Sequence, residues 1–217
     1  GTKTISGANT FSGTFTVSNT ANTAVVFNAS QTFTGGATFS GTSQSVTATN
    51  LTFSGTVTFA STAAGTHAIG SGITWQDLTI ASPVASGTRV VAFNGDNTIT
   101  GTLTANGGRG DYRTNFVSNT TGTQRTLTVA ALSVSNVGFS DIVAAGAATW
   151  TLPLGNWNLG NNSGITFDNS PLYWIGGTGN WYQYTRDFPA GTYNAVWVGS
   201  RDGRAADAYG RSLEIVT

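Results

Sequence analysis

Between Asn50 and Phe59 the chain reads N-L-T-F-S-G-T-V-T-F, with Leu51, Phe53, Val57 and Phe59 alternating with Thr52, Ser54, Thr56 and Thr58 about Gly55. A period of two sends one set of side chains to a core and the other to solvent, the signature of a half-buried β-strand. Variants recur as N-T-F-S-G-T-F-T-V (Asn9 to Val17), Q-T-F-T-G-G-A-T-F (Gln31 to Phe39) and N-T-I-T-G-T-L-T-A (Asn97 to Ala105). Aligned on the apolar residue before the Gly, they put Phe11, Phe33, Phe53 and Ile99 in register at spacings of 22, 20 and 46. The last gap is two periods, and Leu78 in W-Q-D-L-T-I is taken as the degenerate copy within it. Upstream of each copy lies a second short strand: Ala24 to Phe27, Ser45 to Ala48, His67 to Gly70 and Arg89 to Phe93. One period therefore reads strand, turn, strand, turn.

Self-similarity at this length marks a solenoid, whose repeats bury their apolar faces only by stacking on one another. The expected fold is all-β: a parallel β-solenoid, a right-handed β-helix, over residues 1–145, with Phe11, Phe33, Phe53, Phe59, Phe93, Ile99, Leu127 and Phe139 inward. Six or seven turns about 4.8 Å apart would make a rod on the order of 30 Å. The rival is an antiparallel β-sandwich, which short strands and turns also suggest but which lacks internal repeats. The more continuously apolar run Thr126 to Ile142 reads as more buried and as the last well-formed turns. Beyond Ala144 to Ala148 five of six Trp and five of six Tyr are found, whereas ten of twelve Phe lie before it. Residues 146–217 are accordingly expected to be a non-repeating, aromatic-rich β cap that covers the last rung and its strand edge.

Composition narrows the functional classes. Charged residues are 8%, net charge is zero and Lys3 is the only lysine, so no basic stripe is available for phosphates and nucleic acid is set aside. With no cysteine there are neither disulfides nor thiolate metal sites, which leaves the compartment open. No apolar run has the length of a membrane span, so membrane insertion is not expected. The absence of Met and a start already inside a repeat suggest a processed product or a piece of a longer chain.

Blocks at Thr2 to Val17, Thr123 to Ile142, Asn162 to Asp168 and Tyr173 to Trp181 (Y-W-I-G-G-T-G-N-W) resemble repeat regions of large bacteriophage virion proteins and bacterial secreted, adhesin-like β-helix proteins. The resemblance spans Gly1 to about Trp181 and implies an exposed structural or receptor-binding role as part of a tail fibre, tailspike, decoration or adhesin. It brings no catalytic residues. The expectation is thus a non-enzymatic module without cofactor or metal, on a virion or the extracellular surface, acting as a homo-oligomer or with other surface proteins, and with a host-surface glycan as a further partner. A glycan-binding or glycan-cleaving module is the first alternative, an ice-binding solenoid the second.

Candidate residues are few. Carbohydrate cleavage needs two carboxylates about 5 to 10 Å apart. Asp77 and Asp96, 19 residues apart, could stack on adjacent rungs, but N-G-D-N around Asp96 is the usual composition of a turn, which is the preferred reading. His67 is read as a packed or surface histidine rather than a catalyst, Arg109-Gly110-Asp111 as an exposed turn, and the N-x-S/T triplets at Asn28, Asn50, Asn119 and Asn161 as a product of composition. Thr-φ-Thr triplets at Thr14, Thr32, Thr56, Thr98 and Thr126 would stack into outward Thr ladders. The partner surface is assigned to Trp174, Trp181, Tyr182, Trp197, Arg201 and Arg204, since Trp, Tyr and Arg most often anchor interfaces; Tyr184, Arg186 and Arg211 lie in the same segment.

Overall fold

The structure, a computed structural model, describes residues 2–18, 23–28, 31–49, 51–84, 87–108 and 112–168, which belong to one compact unit, Gly1–Trp174. Its first rung comprises β1 (Lys3–Ile5), β2 (Thr10–Phe11) and β3 (Phe15–Val17), and its second β4 (Thr23–Phe27), β5 (Thr32–Phe33) and β6 (Ala37–Phe39). Each of the next four is a pair: β7 (Gln44–Thr49) with β8 (Thr52–Phe59), β9 (Gly65–Ser71) with β10 (Ile73–Ile80), β11 (Gly87–Phe93) with β12 (Asn97–Asn106), and β13 (Tyr112–Ser118) with β14 (Arg125–Ser135). Shorter strands follow: β15 (Val137–Ser140), β16 (Ile142–Ala145), β17 (Thr151–Leu152), β18 (Trp157–Asn158) and β19 (Thr166–Phe167).

Every pairing between these strands is parallel. The first strand of each rung joins one sheet, β1-β4-β7-β9-β11-β13-β15-β18, and the later strands join a second running from β2 and β3 to β16. Consecutive copies of the repeat therefore stack as rungs and form no hairpins. This is a β-solenoid and rules out the sandwich.

Alternation along each strand becomes columns across the rungs. Phe11, Phe33 and Phe53 share one inward column, their rings stacked at 4.8 Å and 4.4 Å. The next member is Trp75, paired with Phe53 on one side and Ile99 on the other, its ring stacked 5.0 Å from that of Phe53 and nearly parallel to it. Leu78 instead stacks between Val57 and Leu103, so the alignment that puts Leu78 level with Phe53 is three residues out. The reason is local. The rung lacks the central Gly and carries Gln76-Asp77, and the pairing of β8 with β10 shifts register between Trp75 and Asp77. Trp75 is fully buried because its indole N–H donates to Asn97 Oδ1 at 3.1 Å, and Asn97, buried too, donates to the carbonyls of Gly70 and Gly95. All the expected inward residues are buried except Phe11, which is partly covered in the first rung. The two sheets meet edge to face, as where the Phe27 and Phe33 rings lie 5.6 Å apart at 85°.

Two expectations about the far end need adjusting. The run Thr126 to Ile142 is not uniformly buried: β16 covers only Arg125 to Thr128 of β14. In the uncovered half Ala130 and Ala131 are exposed and Leu132 and Val134 half-exposed. The change in composition near Ala145 also does not end the parallel pairing, which continues through β17 with β19 and β15 with β18. There Trp150 caps the core edge-on to Phe139 at 5.8 Å, and its N–H is satisfied by the Ala145 carbonyl. Of the cap assigned to 146–217, residues 169–217 lie outside the described residues.

Candidate functional surface

The outer face of the second sheet carries one chemistry in two columns. Thr10, Thr32, Thr52, Thr74, Thr98 and Thr128 stack in register over six rungs. Thr16, Thr38, Thr58, Thr79, Thr104 and Ser133 form a second column. All are exposed or half-exposed, and β-branched Thr suits a strand whose outer face must stay soluble. Outward ladders thus exist, in a register that the Thr-φ-Thr triplets do not give. Thr32 and Thr98 belong to one column and Thr58 to the other. Thr34 and Thr100 leave both and turn their hydroxyls to the carbonyls of Phe11 and Trp75 on the preceding rung.

Between the columns the rungs bend at glycine. A Cβ on Gly55 would lie 2.7 Å from the Gly35 carbonyl group and 2.8 Å from the Gly36 amide nitrogen, a backbone-to-backbone approach that no side chain fits. In the fourth rung the Asp77 carboxylate fills this place: Oδ1 accepts the Thr102 amide at 2.7 Å and Oδ2 the Thr56 hydroxyl at 3.5 Å.

Asp96 and Asp141 are likewise engaged within the coil. Asp96 Oδ1 accepts the Thr126 amide at 2.7 Å. Asp141, buried and at φ 58°, accepts the Gly122 amide at 3.1 Å and Asn161 Nδ2 at 2.6 Å. The spacing that suggests stacked Asp77 and Asp96 does not bring them together. Asn97 pairs with Ile73, so Asp96 is level with Gly72, whose amide donates to the Asp96 carbonyl. Asp77 lies five residues further along that rung, roughly 16 Å at a strand's rise. Replacing Asp77 by Ala is expected to cost about 1 to 2 kcal/mol through the orphaned Thr102 amide, read as a lower urea midpoint with an unchanged m-value.

His67 is fully buried, its ring 4.7 Å from Phe59, with neither ring nitrogen bonded among the described residues. Burial first, and the charge of Arg89 second, push it down to about 4. It is a core histidine, the packed one of the two placements that its sequence left open. Sequence reasoning missed Arg89, fully buried, whose Nη1 donates to the Ala81 carbonyl and Nη2 to the Ala63 carbonyl; burial lowers its pKa to about 10. The parity of R-V-V-A-F was the available signal, since Arg89 shares the face of Val91 and Phe93. Also missed was Arg113, whose guanidinium sits 4.2 Å over the Trp157 ring.

Asn28, Asn119 and Asn161 are exposed, and the latter two bond within the turns, Asn119 Nδ2 to Asn94 Oδ1 at 2.6 Å. The assigned partner residues Trp174, Trp181, Tyr182, Trp197, Arg201 and Arg204, the Arg109-Gly110-Asp111 tripeptide, Asn50, and Asp187, Asp202, Asp207 and Glu214 lie outside the described residues. No family model, characterised protein or solved structure matches the chain.

Proposed function

We propose that this chain is a non-enzymatic β-helix module of an extracellular or virion surface assembly, with a structural or receptor-binding role. The observation that supports it most is how Asp77, Asp96 and Asp141 are used: each carboxylate bonds a backbone amide elsewhere in the coil. A glycan-cleaving coil needs two carboxylates converging on one bond as acid and base, and these three are committed to holding rungs and turns. The stacked core supplies stiffness, and the Thr and Ser columns a repetitive, uncharged exterior. Such an exterior discriminates poorly between partners, so recognition is assigned to the aromatic and Arg-rich segment beyond residue 168, toward a second copy, other surface proteins or a host-surface glycan.

The test is incubation with capsule and cell-wall polysaccharides while reducing ends and retention on the polysaccharide are measured together. Retention, or none, without new reducing ends is the expected result. Release of fragments that is lost in Asp77→Asn or Asp96→Asn would overturn the reading.

The two Thr columns favour a second reading, an ice-binding face, because they repeat hydroxyl and methyl groups at the spacing of the rungs. Thermal hysteresis that disappears when Thr52 and Thr74 are replaced by Lys would establish it; freezing behaviour equal to that of a control protein removes it.

A further inference from the structure

His67, Arg89 and Thr114 form a seam of buried polar side chains within an otherwise apolar core. Each is 0% exposed. The registers join them: Arg89 lies between Gly65 and Thr114, and His67, two residues beyond Gly65 on the same face, pairs with Val91. Among the described residues, both His67 nitrogens, Arg89 Nε and the Thr114 hydroxyl have no hydrogen-bond partner. Arg89 also ties two turns together, since the Ala63 carbonyl belongs to the turn leading into the fourth rung and the Ala81 carbonyl to the turn leading into the fifth.

We infer that this seam is an acid-sensitive break point, at which the coil opens around its fourth and fifth rungs when His67 takes up a proton. An imidazolium at this position would be a second buried cation beside the fixed guanidinium, with no acceptor on either ring nitrogen, which is among the costliest arrangements a core can hold. Nothing described offsets it. β7 and β8 contain no titratable residue, and β11 contributes only Arg89. In β10 Asp77 bonds Thr102 and Thr56 on other strands; in β13 Arg113 lies over Trp157, and Tyr112 pairs with Gly87 at the far end of β11 from Val91, the partner of His67. Exposure of the seam is the relief. It stays local because rungs bind only their neighbours, so the stacks on either side keep their own cores. A structural module with this seam would loosen in an acidic compartment and hold at neutral pH.

The direction follows from linkage. His67 binds its proton more weakly when buried, near 4, than when released, near 6.5, so the opened form gains population as pH falls through that window. At about pH 5 the open population should rise roughly 20-fold over its value at pH 7.

Hydrogen exchange of the full chain at neutral pH and at about pH 5, corrected for intrinsic rates, tests this. Amides of β9, β11 and the turns at residues 60–64 and 81–84 should gain exchange by that factor while β14 to β16 do not, and His67→Leu should abolish the difference. Equal acceleration in His67→Leu, or none in the parent, would overturn the proposal. Should that variant fail to fold, the sole histidine gives a second reading by NMR. Its ring should remain neutral while folded signals persist at about pH 5, and an ordinary titration with the fold intact would equally contradict the inference.

Discussion

Replacing Phe53 by Ala should lower the unfolding free energy by about 3 to 5 kcal/mol, measured from urea denaturation of the folded chain. Phe53 is 1% exposed and lies in the longest run of stacked rings, 4.4 Å from Phe33 and 5.0 Å from Trp75. Its removal takes one member out of a continuous column, and the two neighbours cannot close on the gap because their strands are held at rung spacing by the parallel ladders on either side. The cost should therefore approach the upper part of the range seen for aromatic truncation, where collapse of the cavity is restricted. The same change at Phe11, which is only partly buried, should cost clearly less.

Gly55→Ala should be destabilising by about 3 kcal/mol although it adds a single methyl group. That methyl would meet the carbonyl group of Gly35 at 2.7 Å and the amide of Gly36 at 2.8 Å. Both are backbone, and relief requires β8 to move off β5 and β6, breaking pairs such as Phe33 with Phe53 and Ala37 with Val57. Gly13 is a useful contrast: no atom lies within 4 Å of a Cβ built there, so Gly13→Ala should leave the denaturation midpoint nearly unchanged. Equal effects at the two sites would mean that chain entropy, rather than the close approach of rungs, determines the role of these glycines.

How much of this was legible in the chain depends on which physical cue each element carries. Strand pairs in each period, and the inward faces of Phe33, Phe53, Phe59, Phe93 and Phe139, follow from alternation repeated at nearly constant spacing. Trp75 did not, because the cue used for alignment was Gly and the fourth rung replaces Gly with Gln76-Asp77, whose carboxylate performs the bend's hydrogen bonding. The sixth rung was obscured by length: Val129 pairs with Ile99 from 30 residues away, since the turn of residues 119–124 is inserted before β14. The Thr columns were foreseen as a class but not in register, for the triplets ignore the extra residue at each bend. Arg89 and His67 show a different failure. Their parity with Val91 and Ile69 places them inward, yet residue type argues for the surface, and only the three-dimensional return of the turn carbonyls of Ala63 and Ala81 makes a buried guanidinium tenable. The carboxylates were legible as residues and not as a pair, because spacing in sequence near one period fixes neither rung nor position along it.

The register of the rungs underlies the columns, the bend and the seam alike, and a chain without cysteine allows it to be tested by cross-linking. Thr52 and Thr74 are direct partners on adjacent rungs, so their Cα atoms are separated by about 4.8 Å, within the range of about 4.4 to 6.8 Å that a disulfide spans. Thr79 pairs with Thr58 instead, roughly 16 Å further along the strand. Under mild oxidation the double variant Thr52→Cys with Thr74→Cys should form an intramolecular disulfide rapidly and in high yield, and Thr52→Cys with Thr79→Cys should remain reduced. A cross-link in the second variant, or none in the first while the protein is folded, would contradict the parallel in-register coil.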